Sequence, residues 1–205
     1  MPQRQRAEQQ RARDTRTKIL DAAVECLVEV GYKDTTTVLI QQRAGVSRGS
    51  LLHHFGCRES LLVAASQHLA RARMVEFAES YAHDVEHHRH DADRATRCVD
   101  VMWEMFHQPY FWAAVQLWVA ARTDDTLRAL LAPQERSLGK IIHTMLDELF
   151  GETLAAHPNY AELIELLFTS MRGVALTYAI DPGDPWDDPH LPMWKRTALR
   201  LLDLS

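Results

Sequence analysis

The sequence of 205 residues has little of what several protein classes require. No stretch approaches the roughly twenty apolar residues of a membrane-spanning helix, and the arginine-rich N-terminus lacks the apolar core of a signal peptide. The three cysteines are far apart and fit neither a disulfide framework nor a zinc knuckle. Only eight glycines and eight prolines punctuate the chain. We therefore expect a cytoplasmic protein with reduced thiols and no membrane partner.

Basic residues are fewer than acidic residues, which gives a net charge of −5, but the basic residues are unevenly distributed along the chain. Residues 1–58 contain ten Lys/Arg and six Asp/Glu, whereas the rest of the chain contains thirteen and twenty-two. The first eighteen residues concentrate the basic side chains, at Arg4, Arg6, Arg11, Arg13, Arg16 and Lys18. Such a segment is either a solvated tail or an arm that lies along phosphates. This distribution of charge predicts a basic head, residues 1–58, followed by an acidic body, residues 59–205.

Three helices are indicated within the basic head. From Thr17 to Val30 apolar residues recur at three and four positions, which predicts an amphipathic helix that ends at Gly31. Thr36 is a natural N-cap for a second helix, Gly45 supplies a tight turn, and Ser47 caps a third helix. Two short helices joined by a glycine-containing turn are typical of the helix-turn-helix unit.

The same turn, Gly45-Val46-Ser47-Arg48-Gly49, matches the G-x-S-x-G elbow of serine hydrolases. An elbow needs a buried strand before the serine, but the preceding segment "TTTVLIQQRA" is short and compatible with a helix. We therefore favour Ser47 as a helix cap whose hydroxyl can meet phosphate, and a hydrolase is the alternative. The sequence leads us to expect no catalytic residue and no cofactor.

From Thr15 to about Leu62 the chain resembles the TetR-type one-component transcriptional regulators, through "TRTKILDAAVECLVEVGY", "TTTVLIQQRAGVSRGSLLHHF" and "GCRESLL". The resemblance implies an all-α fold, in which an N-terminal three-helix helix-turn-helix DNA-binding domain precedes a C-terminal helical ligand-binding and dimerisation domain. We expect a basic flexible arm at residues 1–14, the DNA-binding domain at 15–58 and the effector-binding and dimerisation domain at 59–205. The chain departs from the family at Gln41 and Leu52, where alanine and tyrosine are usual.

The resemblance also implies which side chains contact DNA. Arg48, Gly49 and Ser50 would face base edges in the major groove, where Arg48 can pair bidentately with guanine. Phosphate contacts would come from Thr36, Thr37, Ser47, His54 and Arg58, with His53 as a further candidate. Two of these have a structural alternative, since Thr36 is a helix cap in any case and His54 could brace the third helix.

Large rings are concentrated in the segment "CVDVMWEMFHQPYFWAAVQLWVAA", residues 98–121, which Pro109 interrupts. Rings at helical spacing often form a core, but so dense a group is hard to pack without a cavity. The family places its effector pocket among the helices of this region. The candidate effector-binding residues are Trp103, Phe106, His107, Trp112, Gln116, Trp118, Met171 and Tyr178.

A histidine run, "HDVEHHRHDAD", offers an alternative function. His83 and His87 lie one helical turn apart and Asp91 follows one turn later, a spacing that can hold a divalent metal. No cysteine accompanies them and the neighbours are hydrophilic, which favours a solvated surface. A metal-responsive regulator is therefore the second alternative.

After Glu59 no segment alternates apolar and polar residues, so the pattern is helical to the end. Two apolar segments, residues 159–180 and 193–204, either complete the core of a monomer or pair with their copies in a second subunit. The resemblance favours the second arrangement. It implies a homodimeric repressor that occupies palindromic operator DNA and releases it when a small apolar or aromatic effector binds.

Overall fold

The computed structural model describes residues 2–86 and 90–204, with side chains at 6–72 and 90–204. All regular structure within these residues is helical, which confirms the expected all-α fold. The α-helices are α1 (Pro2–Asp34), α2 (Thr37–Ala44), α3 (Arg48–His54), α4 (Arg58–Glu86), α5 (Asp91–Met105), α6 (Pro109–Ala121), α7 (Asp125–Ala155), α8 (Tyr160–Thr177) and α9 (His190–Leu201). Across the described ranges, no helix is long and apolar enough to span a bilayer.

Helix α1 is broken near its C-terminal end and extended at its N-terminal end. Gly31 has a φ of 77°, a left-handed conformation that side chains disfavour, so the regular helix stops at the predicted residue. The segment that the sequence predicts as a basic flexible arm, residues 1–14, is helical from Pro2 onward. Its Gln, Arg, Ala and Glu residues have favourable helix propensities, which explains a helix whose described side chains at 6–14 are all exposed.

Helices α2 and α3 form the helix-turn-helix, and both predicted caps are present. The Thr36 hydroxyl accepts a hydrogen bond from the Leu39 amide (3.2 Å), and the Ser47 hydroxyl accepts one from the Ser50 amide (3.2 Å). Gly45 adopts the left-handed conformation, with a φ of 65°, between the two helices. The turn is therefore determined by local interactions that the sequence encodes directly.

The chain groups into two compact units. The first unit comprises Met1–Arg73 and Pro109–Leu138, and the second comprises Met74–Gln108 and Gly139–Ser205. The core of the first unit includes Ile19, Leu51, Leu62, Leu117 and Leu131, so α6 and the first part of α7 share a core with the helix-turn-helix. In the second unit α5 packs against α8 and α9. The division into an arm, a head and a body at residues 14 and 58 stays a prediction.

Helix α7 begins at a carboxylate cap and is interrupted near its C-terminal end. Asp124 caps the helix, because its Oδ1 accepts a hydrogen bond from the Leu127 amide (2.9 Å). Pro133 does not divide the helix; the non-helical conformation inside α7 is at Gly151. A carboxylate at the N-cap also interacts favourably with the helix dipole.

Candidate nucleic-acid interface and effector site

One face of α3 lies in the core of the first unit and the other is open to solvent. Leu51 and Phe55 are 1% and 5% exposed, so packing fixes the orientation of the helix. Arg48 and Gly49, in the first turn, are exposed, as is the capping residue Ser47. A guanidinium presented at the start of such a helix has the placement that base contacts in the major groove require.

The other predicted DNA-binding residues lie at the helix starts and at the end of α3. Thr36 and His53 are exposed, whereas Thr37, Ser50 and His54 are half-buried. The imidazole rings of His53 and His54 are 5.5 Å apart in an edge-to-face arrangement. The helix starts orient backbone amides outward, an arrangement that suits phosphate.

Two large apolar side chains on the helix-turn-helix are exposed. Val38 on α2 is 55% exposed, and Leu52, one turn after Arg48 on α3, is 47% exposed. Exposed apolar side chains beside a base-reading arginine can contact a thymine methyl group. Of the two, only Leu52 had a signal in the sequence, because it replaces the tyrosine that is usual in the resembled family.

Arg58 makes contacts within the first unit that the sequence did not indicate. Its Nε donates a hydrogen bond to the Thr35 carbonyl (2.7 Å), its Nη2 donates to the Tyr32 carbonyl, and the guanidinium lies 4.3 Å from the centroid of the Tyr32 ring. Its Nη1 is 3.6 Å from the Glu59 carboxylate. The structure therefore places Arg58 as a brace behind the end of α1, and the expected phosphate contact would require these bonds to open.

Two further arginines connect α1 to the helix-turn-helix. Arg43 on α2 pairs with Glu29 on α1, with an N–O distance of 2.6 Å. The guanidinium of Arg16, in the basic N-terminal segment, lies 5.2 Å from the centroid of the Phe55 ring at the end of α3. The basic segment thus continues directly into a helix that packs against α3.

Gln116 on α6, a candidate ligand contact, is bonded to the backbone of α1. Its Oε1 accepts a hydrogen bond from the Tyr32 amide (2.5 Å), and its Nε2 donates one to the Leu27 carbonyl (3.2 Å). Both groups lie next to the point where the left-handed Gly31 interrupts α1. The amide of Gln116 therefore braces the end of α1, and its expected contact with an effector stays a prediction.

A group of rings in the second unit contains three of the predicted effector residues. Trp103 is fully buried, and its indole N–H donates a hydrogen bond to the Pro185 carbonyl (2.7 Å). The centroids of the His107, Trp194 and Tyr178 rings lie 4.3, 4.8 and 6.0 Å from that of Trp103. Burial lowers the pKa of His107, whose buried Nε2 has no hydrogen-bond partner among the described residues.

The Tyr178 hydroxyl is held by the loop before α9. It donates a hydrogen bond to Oδ2 of Asp188 (2.6 Å), and burial together with this carboxylate raises the pKa of Tyr178 to about 12. Asp188 is itself buried, which opposes its ionisation, but hydrogen bonds from Tyr178 and His190 outweigh burial and lower its pKa. The phenol is thus a neutral donor fixed in place.

The eight predicted effector residues are divided between the two units. Trp103, Phe106, His107, Met171 and Tyr178 lie in the second unit, and Trp112, Gln116 and Trp118 lie in the first. Phe106 packs on Phe168 (5.2 Å between centroids), and Met171 is fully buried. In the first unit the Phe111 ring contacts those of both tryptophans, at 5.4 and 6.2 Å.

Comparison with known proteins agrees with this geometry. Residues 19–65, which span the helix-turn-helix, match the family model described as bacterial regulatory proteins, tetR family. This part of the chain is therefore similar to TetR-family transcriptional regulators, which are DNA-binding proteins and not enzymes.

Relatives of this chain are named as transcriptional regulators. It is 25% identical over 190 residues to an uncharacterized HTH-type transcriptional regulator of Mycobacterium tuberculosis, covering 92% of this chain and 94% of that one. It is 28% identical to the HTH-type transcriptional regulator CymR of Pseudomonas putida, covering 86% and 85%. It is also 30% identical to the HTH-type transcriptional repressor AcnR of Corynebacterium glutamicum, covering 65% and 64%.

Solved structures with the same fold include two that hold ligands. The multidrug binding protein EbrR complexed with imidazole has a TM-score of 0.61 and 18% identity, and the match covers 91% of this chain and 93% of that one. FadR from Bacillus subtilis in complex with stearoyl-CoA has a TM-score of 0.56 and 18% identity, covering 91% and 96%. These similarities support the TetR-type fold.

The structure bears differently on the two alternative functions, a serine hydrolase and a metal-responsive regulator. The turn at Ser47 joins two helices and its hydroxyl caps α3, so the strand that a hydrolase elbow needs is replaced by α2. His83 and His87 lie outside the residues whose side chains the structure describes. In the part that it does describe, no group of three or more His, Cys, Asp or Glu side chains could hold a metal ion.

Proposed function

We propose that this protein is a TetR-family repressor that binds palindromic operator DNA as a homodimer and is released by a small apolar or aromatic effector. The exposed first turn of α3, held by the buried Leu51 and Phe55, is the observation that carries the proposal. A rigid helix with an exposed arginine at its start suits sequence reading in the major groove.

The DNA contacts of the proposal divide into two kinds. Arg48, Gly49 and Ser50 face base edges, and Leu52 adds an apolar contact. Phosphates are held by Thr36, Thr37, Ser47, His53 and His54, which set the register and carry little sequence information. Arg58 acts indirectly, because its bonds to the Tyr32 and Thr35 carbonyls hold α4 against the end of α1.

A stripe along α8 supports the dimer. Leu166, Thr169, Gly173 and Leu176 follow one another on α8 at intervals of three and four, Ile180 lies in the turn after the helix, and all five are exposed. Ile180 is 89% exposed, an unfavourable position for a large apolar side chain unless something covers it. The spacing matches the seam between two packed helices, and a second copy of α8 presents the same seam. We therefore place the two-fold interface along this stripe.

The effector in this proposal binds at the ring group of the second unit. Trp103, His107 and Tyr178 bring three aromatic rings together, and the unpartnered Nε2 of His107 supplies a polar contact that would orient a ligand. Offset stacking on such rings favours aromatic compounds beyond simple burial of area. The ligand complexes of EbrR and FadR support the assignment of an effector site to this fold.

Selection of bound fragments from genomic DNA, with the purified full-length chain, tests the proposal. We expect the recovered fragments to share an inverted repeat whose half-sites lie about one helical turn, or a multiple of it, apart. Recovery of fragments without a shared sequence would contradict operator recognition. Enrichment of single half-sites would contradict the dimer and leave the α3 contacts intact.

A further inference from the structure

A cavity that opens to the surface lies within the first unit, where the end of α6 meets the first part of α7. It has a volume of about 270 Å³. Its lining residues are Trp118, Ala121, Arg122, Arg128, Leu131, Ala132 and Glu135. Its walls are mainly apolar, and two arginines and one glutamate provide the charge.

The apolar wall is part of a fixed core. Ala121 and Leu131 are buried in the same hydrophobic cluster that anchors α1 and α3, so this wall is held in place by the rest of the unit. The half-buried Trp118 ring contacts Phe111, with 6.2 Å between the centroids. A preformed concave surface of this kind gains free energy when an apolar group covers it.

The charged side chains around the cavity differ in the partners that they have within the protein. Glu135 accepts a hydrogen bond from Nε2 of Gln67 on α4 (3.3 Å), and Arg128 pairs with Asp125 (2.5 Å). For Arg122, which is exposed immediately after α6, the described residues provide no carboxylate partner. A guanidinium beside an apolar wall can receive a carboxylate in bidentate geometry.

We propose that this cavity binds a small amphipathic carboxylate, whose apolar body lies against Trp118 and Leu131 and whose carboxylate pairs with Arg122. The site goes beyond the proposed effector site, because every lining residue belongs to the first unit. Trp118 follows Gln116 by two residues on α6, and Gln116 is bonded to the backbone of α1. A bound carboxylate is therefore coupled to the helices that carry the DNA contacts.

The ligand chemistry is tested by calorimetric titration of the full-length protein with 4-phenylbutyrate and with 4-phenylbutan-1-ol, which has the same body without the charge. We expect the carboxylate to bind at least about tenfold more tightly than the alcohol. We expect Arg122→Gln to remove this difference, whereas Arg136→Gln, an exposed arginine further along α7, should leave it unchanged. Equal affinities for the two compounds, no binding of the carboxylate, or an unchanged preference in Arg122→Gln would overturn the proposal.

A second variant tests the location. Ala132→Phe places a ring in the cavity and leaves both arginines present, so it should abolish binding of 4-phenylbutyrate. Binding of 4-phenylbutyrate that persists in a folded Ala132→Phe protein would place the ligand outside this cavity. If Ala132→Phe unfolds, the result for the surface substitution Arg122→Gln determines whether the proposal stands. Operator binding is measured separately by mobility shift for each variant. A wild-type protein that binds operator but not 4-phenylbutyrate refutes only the cavity proposal, and a wild-type protein that binds 4-phenylbutyrate but no operator refutes only the operator proposal.

Discussion

At the scale of single residues, Arg48 carries the most specific expectation. Ser47 caps the helix that presents it, and the buried Leu51 holds that helix in place, so substitution removes the guanidinium without moving the backbone. We expect Arg48→Ala to cost about 1–3 kcal/mol of operator binding and to relax the preference at one position of each half-site. Competition binding with single-base operator variants measures this, and Arg136→Ala is the control. An unchanged base preference would remove Arg48 from base reading.

Gln116 is expected to matter for stability through its two bonds to α1. Gln116→Leu leaves the Tyr32 amide and the Leu27 carbonyl without their partner, at a cost of about 1–3 kcal/mol in the free energy of unfolding. The exposed Gln134→Leu makes the same chemical change on α7 and should have little effect. Denaturant midpoints that are equal for the two variants would contradict the bracing role.

His107 is expected to make stability depend on pH. Burial holds its folded-state pKa below the ordinary value of 6.5, so the unfolded chain binds the proton first as the pH falls. The stabilisation that comes from keeping His107 neutral in the folded protein is fully present above about pH 6.5. This part of the free energy of unfolding is lost as the pH falls through the folded-state pKa. His107→Gln should reduce the loss of stability between about pH 7.5 and about pH 5.5, whereas the exposed His143→Gln should not. Identical pH profiles for wild type and His107→Gln would refute this.

The same residues show what a sequence can reveal about a site. The exposure of Arg48 follows from a local pattern, since the cap and the apolar anchors are encoded within one helix. The partners of Gln116 and Arg58 are backbone groups far away in the chain, where Gly31 breaks α1. No spacing rule indicates that a polar side chain among rings will brace another helix. Both side chains were therefore expected to serve a ligand or a phosphate.

At the scale of helices, the caps at Thr36 and Ser47 and the turn at Gly45 were predictable because they depend on neighbouring residues. The N-terminal extension of α1 was not predictable from the sequence, since its basic residues also suit a disordered arm. Helix propensity alone accounts for it. The extension belongs to the same helix as Arg16, which packs on Phe55. Its backbone direction is therefore set by the rest of α1.

Deletion of residues 2–13 tests whether this extension binds DNA. We expect lower operator affinity and a weaker dependence of that affinity on salt, because fewer counterions are displaced when fewer cations meet phosphates. The measurement is the slope of log affinity against log salt for both proteins. If the slopes coincide, the extension is only a solvated helix; circular dichroism confirms that the shortened chain remains folded.

At the scale of the whole molecule, the grouping of α6 with the helix-turn-helix is the least predictable feature. The sequence places α6 far from α1, and its rings indicated only a pocket. The shared core of Leu117 and Ile19 arises from packing between distant segments, which periodicity does not encode. The ring-rich region is consequently divided, with α5 in one unit and α6 in the other.

The dimer is the remaining whole-molecule expectation, and Gly173→Glu tests it at the centre of the α8 stripe. A side chain added at Gly173 meets no atom within 4 Å in the monomer, and glycine is a poor helix former, so the monomer should fold normally. A buried pair of glutamates would separate the subunits, because two like charges would lose water without gaining partners. The variant should sediment as a monomer and bind the full palindrome about 10²–10⁴ times more weakly, close to its affinity for one half-site. Ala161→Glu, also exposed on α8 but on a different side, should remain dimeric with full affinity. A Gly173→Glu protein that sediments as a dimer would move the interface away from this stripe.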